Sequence, residues 1–185
     1  ASKTGGNLTY VDANDILIGT VDGVNDITVT GTVSLTATAG AINDAADNDT
    51  VDFTAVGLIT LTAQDEIGVL SGGESDTNLE FAAGSNLDVS SLGAGNLDLQ
   101  GLGALTLTDV DTVDGAITVT AAGALAALLV DTADAGNDAT HAVSLTASSG
   151  DVTIGAINSD GALSVVATAG AINDAADNDT VDFTA

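Results

Sequence analysis

Ala37 to Ala55 reads ATAGAINDAADNDTVDFTA, and Ala167 to Ala185 reads the same nineteen residues, 130 positions further on. A verbatim repeat of this length points to a duplicated gene segment. It also predicts that the 185 residues are one continuous segment, 1–185, cut as a window from a longer tandem array. A chain built this way must bury its apolar residues by stacking like on like, so function is to be sought in repetition.

Short alternating runs recur along the chain: Val33–Thr36, Val51–Thr54, Leu79–Ala82, Leu97–Gln100, Ile117–Thr120, Val143–Thr146, Leu163–Val166 and Val181–Thr184. Apolar residues there alternate with Thr, Ser or Asp, the period of a strand buried on one face. Their starts are spaced 18, 28, 18, 20, 26, 20 and 18 residues apart. That predicts a base coil of about 18 to 20 residues with two enlarged units. The enlargements are assigned to the acidic, Gly-rich stretches at 64–77 and 131–140. Further strand signals follow at Ile59–Thr62, Leu87–Ser90 and Leu105–Thr108. Two or three short strands per coil, divided by Gly, Asn and Asp corners, predict an all-β parallel β-helix of about 18–28 residues per coil. A sandwich is the competing architecture, but it needs hairpin turns without a higher-order period. The run Ala121–Val130 has helix-forming composition; in this setting it reads as small residues inside a coil.

The phrases SLTATAGAIND (Ser34–Asp44), LITLTAQDEIG (Leu58–Gly68) and VSLTASSGDVTIG (Val143–Gly155) resemble the repeats of large filamentous-haemagglutinin-type exoproteins. The resemblance covers most of the chain. It implies a right-handed β-helix forming the shaft of a secreted adhesin, with no catalytic residues. The chain has fewer basic residues than that family usually carries, which separates the solenoid form from haemagglutination itself.

Charge is the second constraint. Asp and Glu number 27 against one Lys or Arg, a formal charge of −26, yet 45% of the residues are hydrophobic. Disordered acidic tails lack that apolar content, so the chain is expected to fold. Without a basic patch, nucleic acid is excluded as a partner. The longest apolar stretch is too short to cross a bilayer, so no membrane insertion is expected in this segment. No cysteine is present to form a disulfide or a thiolate metal site.

Eight stacked coils at about 4.8 Å span ~40 Å. The charge density is then about one per 1.5 Å, comparable with duplex DNA at about one per 1.7 Å. The Debye length of about 8 Å exceeds one rung, so repulsion between coils is not screened away. Divalent cations are the efficient remedy, and aspartate oxygens suit calcium. The candidate metal ligands are the acidic corners: Asp44, Asp47, Asp49 and Asp52, with their copies Asp174, Asp177, Asp179 and Asp182. Asp109, Asp111 and Asp114 form a further candidate. They echo a D-x-D-x-D-G calcium loop with the third acid one position late and the distal Glu missing. The bland readings are solvated turn residues that accept local backbone bonds, or a charged coat that serves solubility.

His141 is the only histidine and reads as a corner or surface residue, leaving no base for a serine triad. No cofactor-binding or catalytic residues are expected, and the chain is not read as an enzyme. Thr-x-Thr pairs stand at Thr28/Thr30, Thr36/Thr38, Thr60/Thr62, Thr106/Thr108 and Thr118/Thr120. Ranked on a flat face they could bind ice, although Thr is also simply a good outward strand residue. Glycosylation sequons occur at Asn7, Asn48 and Asn178.

The expected role is therefore structural: a calcium-stabilised repeat segment of an extracellular, cell-surface or secreted adhesin or filament. Its partners are other copies of itself, end to end or lateral, and cell-surface or matrix polysaccharide. The alternative is a ligand-binding solenoid module for polysaccharide, mineral or ice.

Overall fold

A computed structural model describes residues 5–19, 26–45, 50–69, 78–132, 140–176 and 183–184. Among them every regular element is a β-strand, and every strand pairing is parallel. The chain is a parallel β-helix with two walls.

The first wall stacks β1 (Leu8–Asp12), β4 (Val33–Ala37), β7 (Leu58–Ala63), β9 (Ser85–Ser91), β11 (Leu105–Thr112), β13 (Leu125–Asp131), β15 (Val152–Asn158) and β17 (Ile172–Asp174). A further short strand, β18 (Phe183–Thr184), also pairs with β15. The second wall stacks β16 (Leu163–Ala167), β14 (Val143–Ala147), β12 (Ile117–Ala121), β10 (Leu97–Gly101), β8 (Leu79–Phe81), β6 (Phe53–Ala55) and β3 (Ile27–Val29). A side ladder of β2 (Ile16–Ile18) and β5 (Ile42–Asp44) joins that wall through Ile67, which bridges both Ile42 and Leu97.

The core follows from stacking. Leu35, Leu61, Val89, Val110, Val130 and Ile157 are register partners on successive coils, each no more than 2% exposed. Ile42, Ile67, Leu97, Ile117 and Val143 do the same in the second wall. Phe53 stacks on Phe81 with ring centroids 5.3 Å apart. A column of inward hydroxyls accompanies the aliphatic one at the end of the first wall. Ser91 Oγ donates to Asp65 O at 2.9 Å, Thr112 Oγ1 to Gly95 O at 2.8 Å and Thr132 Oγ1 to His141 O at 3.0 Å. These bonds satisfy corner carbonyls that the ladder leaves open.

Coil length departs from the sequence expectation. Successive register partners Leu8, Val33, Ile59, Leu87, Leu107, Ala127, Ile154 and Asp174 give steps of 25, 26, 28, 20, 20, 27 and 20 residues. Four coils are long, not two. The spacing from Val33 to Val51 crosses from one wall to the other, so it measures part of a coil. The spacing from Leu163 to Val181 also leads from one wall to the other, at β18. Strand alternation alone does not reveal which wall a run belongs to.

The first three coils are long because the second wall is interrupted there. β10 is one unbroken five-residue strand, but its predecessors come in two pieces: β2 and β3, β5 and β6, then Ile67 and β8. Gly68 makes the third break possible. Its φ is +75°, and a Cβ there would collide with the carbonyl of Asp98 on the next coil. The run Ala121–Val130 is strand throughout its second half, in β13. In β11, a register shift between Leu107 and Asp109 inserts Thr108 as a bulge, so that Thr108 and Asp109 both face outward.

Candidate cation site at the broken wall

The breaks in the second wall create the chemical feature that stands out. Asp44 ends β5 and Asp52 immediately precedes β6, so the two carboxylates flank the segment that interrupts this coil. Glu80, on β8 of the following coil, completes a triad with them. One carboxylate oxygen from each of the three lies within 4.8 Å of the others, and the residues are only 2%, 3% and 1% exposed. Among the described residues this is the only group of three or more His, Cys, Asp or Glu side chains close enough to share a metal ion.

Backbone pairing fixes two of the three. Asp52 N donates to Glu80 O at 2.9 Å, and Glu80 N donates to Asp52 Oδ2 at 3.0 Å. Asp52 O accepts from Ile27 N at 2.7 Å, tying the site to the first coil as well. Asn43, itself buried, accepts from Val69 N through Oδ1 at 3.0 Å and braces the strand that carries Asp44. Burial pushes the Asp52 carboxyl up to about 7, and the charge of Asp44 adds to that rise. Hydrogen bonds from the Glu80 backbone and with its side chain pull the other way. A buried set of like charges is costly unless protons or a cation compensate it. Two Ca–O bonds of about 2.3–2.6 Å laid end to end span about 4.6–5.2 Å. An oxygen set held within 4.8 Å therefore fits around one hard divalent cation.

Of the other expected ligands, Asp47, Asp49, Asp177, Asp179 and Asp182 lie outside the described residues, as do the sequons at Asn48 and Asn178. Asp174 is exposed on β17, and its Oδ1 accepts from Ala176 N at 2.8 Å. Asp109 and Asp111 do not form a loop with Asp114. They point outward from β11, where Asp109 is paired with Asp88 and Asp111 with Asp131 of adjacent coils. Partial burial and neighbouring acids raise Asp88 and Asp111 above the usual carboxylate range, while Ser90, donating to Asp111 at 2.8 Å, offsets part of its rise. Asp114 is at a corner, 2.7 Å from His141 Nε2. His141 is a corner residue as expected but not a surface one, being 2% exposed. The exposed Asn7 accepts from Thr32 N at 3.1 Å.

The Thr pairs are scattered across faces. Thr118, Thr120, Ser144, Thr146, Ser164 and Val166 register in two columns on the second wall, with Val166 closing the Thr120 column. Sequence reasoning found Asp44 and Asp52 but missed Glu80. The available signal was an acid inside an otherwise apolar strand, Leu79-Glu80-Phe81, 28 residues beyond Asp52.

No family model, no curated protein and no solved structure matches the chain.

Proposed function

We propose that this chain is a calcium-stabilised shaft segment of a secreted adhesin or extracellular filament. The observation that carries the reading is the buried triad Asp44, Asp52 and Glu80 at a break in one wall of an otherwise continuous solenoid. The role of such a segment is mechanical. Parallel ladders and the aliphatic columns give a stiff rod, and a cation at the break ties β5, β6 and β8 together where no continuous strand does so. The acid-rich exterior keeps rods soluble and sets how closely copies approach one another.

Calorimetric titration of chelator-stripped protein with Ca²⁺ tests the reading. Saturable binding that is lost in Asp44→Asn and in Glu80→Gln is expected. Heats that fit only diffuse, salt-sensitive condensation on the acidic surface would overturn it.

A further inference from the structure

Ile172 and Phe183 are exposed where no strand among the described residues pairs over theirs. Four other large apolar side chains are exposed in the middle of the stack. Leu92, Val113, Leu128 and Leu129 are 53%, 48%, 43% and 39% exposed. They lie on or directly after β9, β11 and β13, each of which already has a neighbour on both sides, so no further coil can cover them. A bulge handed from coil to coil places the leucine pair. Between its inward residues β9 turns only Asp88 outward, whereas β11 turns Thr108 and Asp109, β13 Leu128 and Leu129, and β15 Gly155 and Ala156. Gly155 leaves that side of the pair open, since a Cβ there would come within 2.3 Å of the Leu128 carbonyl oxygen. Leu92 and Val113 follow the register partners Ser91 and Thr112 at the corner of the same face.

We propose that this face of the first wall, from β9 to β13, docks an extended segment of another protein that carries Lys or Arg and aliphatic residues on one side. Charge complementarity selects the occupant. Asp88 and Asp109 are register partners between the exposed apolar residues, as are Asp111 and Asp131, and no Lys or Arg is among the described residues. Burial and neighbouring acids hold Asp88 and Asp111 above the usual carboxylate range, and cations set against them relieve that repulsion. Another copy of this chain, a nucleic acid or an anionic membrane is repelled by a charge of −26. A bare metal ion answers the carboxylates but leaves the leucines in water. An extended segment fits the spacing: Asp109 and Asp111 are two residues apart, about 6.6 Å, as are side chains on one side of such a segment. The docking does not rest on an ion at Asp44, Asp52 and Glu80, so it is read in chelator.

Fluorescence anisotropy of a labelled synthetic peptide tests it, at about 0.15 M salt. The peptide carries lysines and leucines on one side of an extended strand, with threonines between them. Saturable binding to the wild type is expected. Replacing the peptide's leucines by serine should weaken binding about tenfold, and so should Leu128→Ser/Leu129→Ser in the chain. Asp111→Asn should weaken it about threefold. Asp174→Asn, the same charge change in register with the inward Ile154, should leave it unchanged. Four results would overturn the inference: no binding, equal affinity for the serine peptide, unchanged binding by folded Leu128→Ser/Leu129→Ser, or equal losses in Asp111→Asn and Asp174→Asn. The last three are what a diffuse acidic surface gives. Circular dichroism reports the folding of each variant, and the serine peptide probes the apolar contact without altering the chain.

Discussion

The nineteen residues from Ala37 and the nineteen from Ala167 share every side chain, yet their environments differ. In the first copy Ile42 and Phe53 are fully buried and Asp44 is 2% exposed. In the second, Ile172 is 51% exposed, Phe183 is 44% exposed and Asp174 lies at the surface. Composition cannot account for the difference. The first copy is covered by the next coil, through Leu58–Ala63, Ile67 and Leu79–Phe81, whereas no strand among the described residues pairs over β16 or β17. What a residue does in this fold is decided by the coil above it.

The largest contrast is expected from the phenylalanines. Phe53→Ala removes a buried ring stacked on Phe81 and should cost about 3–5 kcal/mol, whereas Phe183→Ala should cost well under about 1 kcal/mol. Urea denaturation of both variants checks this, and equal losses would mean that the two copies share one environment.

The cation follows in size. Free Ca²⁺ at a hundredfold excess over its dissociation constant should stabilise the wild type by about 2.7 kcal/mol. Asp174→Asn should retain the gain and Glu80→Gln should lose it. A gain lost in both would place the ion on the surface at large.

The third contrast concerns pH in chelator. The folded-state pKa of Asp52, about 7, lies above the unfolded value, so the folded state holds a proton that the unfolded state releases first. The stability this proton brings is complete below about pH 4 and is lost as the pH climbs through 7, on the order of 2 kcal/mol between pH 5 and 7. Melting temperatures across that range should fall for the wild type and fall less for Asp52→Asn. A wild-type melt that rises with pH would contradict the direction. The smallest effect belongs to Asp174→Asn, whose exposed carboxylate only accepts a local backbone bond and should shift stability by no more than about 0.5 kcal/mol.

The same contrast marks how far the sequence could be read. Period-two alternation located the strands around Leu35, Leu99, Val119 and Leu145, because stacking demands an inward aliphatic residue wherever they lie. It could not assign a wall, since VSLTA satisfies both. Asp44 and Asp52 were visible as acids clustered in one stretch of sequence. Glu80 was not, because its approach to them depends on a 28-residue step between coils that no local pattern encodes. Asp109 and Asp111 resembled a loop in sequence, but the alternation Leu105, Leu107, Val110 and Thr112 makes that stretch a strand. The hydroxyl column through Ser91, Thr112 and Thr132 was hidden for a related reason. Each lies two residues beyond an inward valine, Val89, Val110 or Val130, so alternation already turns it inward, but the corner carbonyl its hydroxyl serves comes from another part of the coil and no local pattern names it.

The cation staple at the broken wall is tested most directly by thermal unfolding, followed by circular dichroism, of chelator-stripped wild type and Glu80→Gln with and without millimolar Ca²⁺. A Ca²⁺-dependent rise in the wild-type melting temperature that disappears in Glu80→Gln is the predicted result. An unchanged wild-type melt with its strand signal intact, or an equal rise in both proteins, would contradict it.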